Sequence, residues 1–112
     1  MTQRDERLYL AEMLEAIDRA LMYTAAGREA FFEDPKTQDA VVRNIEIIGE
    51  AVRGLSKGAW QAHPEIPWSK IAGTRDRVIH GYFSVDLDII WEIVEAELPT
   101  LRRKIAELLP QA

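Results

Sequence analysis

Three features of the chain predict an all-α fold, an antiparallel up-and-down bundle of four main helices with a possible short fifth. Apolar residues recur at helical spacing in three long stretches. Residues that cap or stop helices bracket those stretches, and no strand-period alternation runs beyond a few residues. At 112 residues the chain fits a single domain, 1–112, with one core of modest size.

Thr2 can cap a first helix from about Gln3 to Ala26, with Asp5 and Glu6 in its first turn and Gly27 as its stop. Its core stripe is Leu10, Leu14, Ile17 and Leu21, broadened by Met13, Met22 and Tyr23. Residues 28 to 32 extend it by a short turn that folds Phe31 or Phe32 onto the core. Asp34 before Pro35 reads as an N-cap followed by proline at the first helical position. The second helix then runs to about Ser56, and Val41, Ile45, Ile48, Val52 and Leu55 form the cleanest apolar seam in the chain. On its other side lie Arg43, Glu46, Glu50 and Arg53. Acidic residues so placed can bind metal, but flanking arginines favour a salt-linked surface or interface. Gly49 is unfavourable inside a helix by ~1 kcal/mol against alanine, which points to a close helix approach there.

From Gly58 to Pro67 the pattern breaks, because Pro64 and Pro67 forbid regular helix. Trp60 and Trp68 are expected to anchor this loop, with His63 solvated within it. A third helix is expected over 69–81, stopped by Gly81. Ser84 then caps a last helix whose seam is Leu87, Ile90, Val94, Leu98, Leu101, Ile105 and Leu108, with Trp91 on its shoulder and a kink at Pro99.

Composition narrows the function classes. Net charge is −5, which argues against a broad grip on nucleic acid, so any RNA contact is local and DNA is not expected as a partner. No cysteine is present, which rules out disulfides and thiolate metal sites and fits a reducing cytoplasm. The N-terminus carries both charge signs and no apolar run, unlike a secretory signal, and no segment is long and apolar enough to span a membrane. Surplus apolar surface beside mixed charges predicts a homodimer.

Chemistry concentrates between Trp68 and Asp86, where Arg75, Asp76, Arg77, His80 and Tyr82 crowd together. Any one of them alone suits a solvated face. On a helix, however, Asp76 and His80 would share a face one turn apart, with Arg75 roughly 140° round the axis from His80. His80 would then sit in the last turn, where the helix dipole favours imidazolium, and Tyr82 just outside it.

RDRVIHGY is arginine, four residues, histidine, one residue, tyrosine, and this stretch resembles the signature of HepT-type toxins in the HEPN superfamily of prokaryotic helical ribonucleases. RNIEIIGEA from Arg43 to Ala51, together with Trp68, Ile71 and Gly73, is similar to that family too, and the likeness runs from about residue 5 to 105. The resemblance implies a homodimer whose two-fold cleft pools Arg75 and His80 of both copies around one phosphate. It implies metal-independent RNA cleavage with no cofactor. His80 would move protons, Arg75 would stabilise the phosphorane, Asp76 would orient one of them, and Arg77 and Arg43 would bind substrate. It further implies a type VII-like toxin–antitoxin pair, in which a small nucleotidyltransferase silences the toxin by transferring AMP to Tyr82. The alternative is a non-catalytic helical dimer that serves as binding partner and AMP acceptor of that enzyme. A metal-binding four-helix bundle is weaker, since no Glu-x-x-His pair occurs.

Overall fold

The computed structural model describes residues 3–80 and 84–109. Among them the chain forms α1 (Gln3–Tyr23), α2 (Arg28–Glu33), α3 (Pro35–Gly54), α4 (Lys57–Ala62), α5 (Trp68–Ala72), α6 (Thr74–Val78), β1 (Ile79–His80), β2 (Ser84–Val85), α7 (Leu87–Glu92) and α8 (Leu98–Leu108), with a π-helical turn over Ile93–Glu97. The all-α class holds; the only sheet among the described residues is the two-residue antiparallel pairing of β1 with β2. The expected Thr2 cap lies outside the described residues.

Helix α3 is the central element, packed on α1 along one side and on α5 and α6 along another, while α1 also meets α8. The molecule measures 41 × 31 × 20 Å, so its short dimension is about two helices deep. The seam Val41, Ile45, Ile48, Val52 and Leu55 is buried throughout, and Ile90, Val94, Leu98, Leu101 and Ile105 close the core from the other side. On α1 the deepest positions are Met13, Ala16, Ile17 and Ala20, with Leu10, Leu14 and Leu21 half-buried beside them. Met22 and Tyr23, expected to broaden that stripe, stand 63% and 39% exposed. They fall where α1 is ending, three residues short of the expected Ala26. The Thr24 hydroxyl donates to the Ala20 carbonyl at 2.8 Å, and Gly27 turns the chain with φ 100°.

Asp34 and Pro35 behave as their sequence implies. The Asp34 carboxylate accepts from the Thr37 hydroxyl at 2.7 Å and from the Lys36 N–H at 3.0 Å, capping α3. Those bonds, the Thr37 hydroxyl foremost, hold its pKa below the usual carboxylate value. Phe31 is the aromatic that folds inward, edge-on to Phe32 and tilted against Trp91.

Four local expectations are corrected. The stretch 58–67 is not wholly irregular: Ser56 accepts from the Ala59 N–H and starts α4, which ends before Pro64. Trp60 and Trp68 do anchor this segment, stacked 6.5 Å apart, and their indoles donate to the carbonyls of Val52 and His63. The helix expected over 69–81 is two short helices jointed at Gly73, and helical structure stops at Val78. Asp86, rather than Ser84, caps the last helix, because Ser84 is occupied in β2 while the Asp86 carboxylate accepts from the Ile89 N–H at 3.1 Å. At Pro99, whose ring would collide with the preceding turn, the helix widens into the π turn Ile93–Glu97 before α8 begins.

Two glycines of α3 record different clearances. A methyl at Gly49 would meet the Ile71 and Ala72 carbonyls at 3.4 and 3.6 Å, a close approach that still admits it. At Gly54 it would lie 2.6 Å from the Tyr9 ring of α1. Gly54→Ala is therefore expected to lose about 1–3 kcal/mol of stability by displacing that ring, and Gly49→Ala to stay within about 1 kcal/mol of the parent. Urea unfolding of the two variants checks this; equal stability would contradict the contact.

Candidate functional site

Arg75, Asp76 and Arg77 are presented by a jointed arm, α5 and α6, that packs on α3. Three residues of α3 at a spacing of three and four form its seat. Gly49 lets the last carbonyls of α5 come close, the Arg53 guanidinium donates to the Ala72 carbonyl, and the Glu46 carboxylate faces Arg75. The joint itself follows from Gly73, whose N–H closes α5 on Ser69 while its carbonyl accepts from the Asp76 N–H to start α6.

Three consecutive charged residues then point three ways, since each helical step turns about 100°. Arg75 reaches α3, with Nε 3.6 Å from Glu46 Oε2, and its side chain is 55% exposed. Asp76 is exposed in the first turn of α6. Arg77 is taken up by the π turn: its Nη1 and Nη2 donate to the two Glu97 oxygens at 3.1 and 3.0 Å. That fork, before any other influence, raises the Arg77 pKa and lowers that of Glu97; burial opposes both, and Lys70 at 3.7 Å adds to the second.

Past Val78 the backbone is extended. Val78 accepts from the Asp86 N–H at 2.7 Å, Ile79 pairs with Val85, and His80 pairs with Ser84. His80 is therefore not in a helical last turn, and neither the shared face with Asp76 nor the dipole argument for its imidazolium applies. Gly81 and Tyr82, the expected helix stop and modification site, lie outside the described residues.

The structure thus brings Arg75 together with Glu46 and places Arg43 one turn earlier on α3, exposed. It sets Arg77 apart on Glu97. Glu46 was legible as part of a salt-linked row, though its partner was not. Nothing in the sequence signalled Glu97, which lies twenty residues beyond Arg77. Among the described residues no three His, Asp or Glu side chains gather as a metal site, and no helix is long and apolar enough to cross a membrane.

A family model described as ribonuclease HepT-like matches residues 13–108. The chain is 41% identical over 110 residues to a protein of Thermococcus cleftensis named a probable ribonuclease HepT, covering 95% of this chain and 97% of that one. It is 36% identical over 110 residues to a candidate RNase of Methanocaldococcus jannaschii, covering 97% and 91%. With a candidate RNase of Caldanaerobacter subterraneus it shares 47% identity over 81 residues, 72% of each chain. No solved structure matches it.

The fork on Arg77 carries a pH dependence. A carboxylate whose native pKa is depressed stabilises the fold above its unfolded value, ~4.3, and that share is lost as pH falls through the lower native value. Glu97 is partly exposed, so its contribution is on the order of 1 kcal/mol. Glu97→Gln is expected to be less stable than the parent by about that amount at pH 7, with the gap narrowing as pH falls through the acid range below about 4.3. Urea midpoints above and within that range test it; a gap that does not narrow would contradict the pairing.

Proposed function

The chain belongs to the HepT-like ribonuclease family, and from that premise we propose that it is an endoribonuclease acting as the toxin of a type VII-like toxin–antitoxin pair. The observation that carries the reading is Arg75: more than half exposed and tethered on one side by Glu46, it opens the stretch RDRVIHGY that resembles the HepT signature.

RNA cleavage of this kind needs three things: a base for the ribose 2′-hydroxyl, an acid for the departing 5′-oxygen, and positive charge on the phosphorane between them. Imidazole, with an ordinary pKa near ~6.5, suits the proton transfers, which assigns them to His80. The planar fork of Arg75 suits the phosphate oxygens. Glu46 is a positioning residue in this scheme, fixing the Arg75 side chain without touching RNA. Arg43, exposed one turn from Glu46, is assigned to the RNA backbone, with Asp76 as a further orienting group. Arg77 keeps its assignment to substrate only if RNA draws it from Glu97. Two copies in an isologous dimer would supply two arginines and two histidines to one cleft.

Silencing is assigned to a nucleotidyltransferase partner. The Tyr82 phenol oxygen attacks the α-phosphorus of ATP, an O–P bond forms, the α–β bridge breaks, and pyrophosphate leaves with the phenol proton lost to solvent. Added negative charge and bulk beside a phosphate-binding cleft would block it.

A second reading, a non-catalytic dimer that only binds that enzyme and accepts AMP, is favoured by the occupied fork of Arg77. Cleavage assays separate the two. Purified protein is expected to cut RNA, and Arg75→Ala and His80→Ala to lose on the order of a hundredfold or more. Glu46→Gln should fall between parent and Arg75→Ala. No cleavage by the purified parent would overturn the ribonuclease reading, and parental activity in His80→Ala would overturn the role given to His80. With the partner and ATP, mass spectrometry is expected to find AMP on Tyr82; modification confined to Tyr9 or Tyr23 would overturn the silencing step.

A further inference from the structure

An open cleft of about 250 Å³ lies between α3, α5, the π turn and α8, and Arg75 is not part of its lining. Its floor is apolar, made of Ile45, Ile48, Ile71, Ile93, Leu98 and Leu101. Its rim is charged, and the balance of charge is uneven. Glu97 supplies one carboxylate, which the Arg77 fork already matches, whereas Lys70 and Lys104 supply two ammonium groups. Lys70 shares Glu97 at 3.7 Å, and the contact Lys104 makes is with the Glu65 backbone carbonyl at 3.3 Å. In a chain of net charge −5, an apolar cleft with surplus positive charge at its mouth is selective. It favours a ligand with an apolar body and one anionic end, because the body is drawn from water and the end meets the lysines.

Size narrows the class. An apolar cavity of about 150 Å³ holds benzene, so this one accommodates a chain of about eight carbons or a ring with a short side chain. The wall is also unusual in one respect: Ile93, Ala96 and Glu97 belong to the π turn, where widening of the helix draws a residue out of register. Such turns often mark functional sites.

We propose that this cleft binds a small amphipathic carboxylate, its apolar part on the isoleucine and leucine floor and its carboxylate between Lys70 and Lys104. The assignment does not rest on ribonuclease activity and is tested by binding alone.

Octanoate, titrated below its micelle range into the full chain and followed by calorimetry and amide NMR, is the probe. Saturable binding is expected, with the largest shifts over Ile93–Leu101. Octylamine, of the same length and opposite charge, is expected to bind at least several-fold more weakly. Lys70→Glu with Lys104→Glu should weaken octanoate by about tenfold, in line with two screened ion pairs. Ala96→Trp or Thr100→Trp, each at an exposed rim position, should obstruct the cleft while preserving the fold. Three results would each overturn the proposal: equal binding of octylamine, octanoate binding that survives both tryptophan variants, or no saturable binding in the parent.

Discussion

The seating of the α5–α6 arm on α3 is the constraint from which the rest of the site follows. One helix carries two faces about 100° apart. Ile45, Ile48 and Val52 enter the core, and Glu46, Gly49 and Arg53, each one residue further along, receive the arm. The apolar face fixes how α3 lies in the bundle, and that fixes where its second face can hold Arg75. Core packing and the placing of a charged group are thus one geometric decision. A change that rotates α3 moves both.

What happens along α6 shows how an acidic chain can keep a local positive feature. Arg75 and Arg77 are two residues apart and meet different fates. Arg77 is enclosed in a two-pronged contact with Glu97 and ties the arm to the π turn, whereas Arg75 has a longer contact with Glu46 and remains largely in solvent. The first arrangement gives mechanical continuity, and the second leaves a guanidinium available. The same Glu97 forms part of the cleft lined by Lys70 and Lys104.

Much of this was legible in the chain. The α3 seam, the Asp34–Pro35 start and the last helix's apolar row each rest on periodicity or local capping, which are properties of neighbouring residues, whereas the sequence left the inward aromatic open between Phe31 and Phe32. What was hidden depends on partners distant in sequence. The seating of the arm depends on Glu46, Gly49 and Arg53 of α3, and the early end of α6 on the Val85 and Ser84 backbone that pairs with Ile79 and His80. Pro99 announced a disturbance but not its form, since whether a helix bends or widens is decided by what packs against it. For the charged residues of α6, the choice of Glu46 for Arg75 and Glu97 for Arg77 was hidden in the same way.

The proposed chemistry depends on Arg75 and His80 being pooled between two copies of the chain, and a mixed dimer tests that most directly. One copy would carry Arg75→Ala and the other His80→Ala, separately tagged and purified as the heterodimer. Pooling leaves one guanidinium and one imidazole in the shared cleft, so RNA cleavage should rise clearly above that of either mutant homodimer. A mixed dimer as inactive as both homodimers would contradict the shared site.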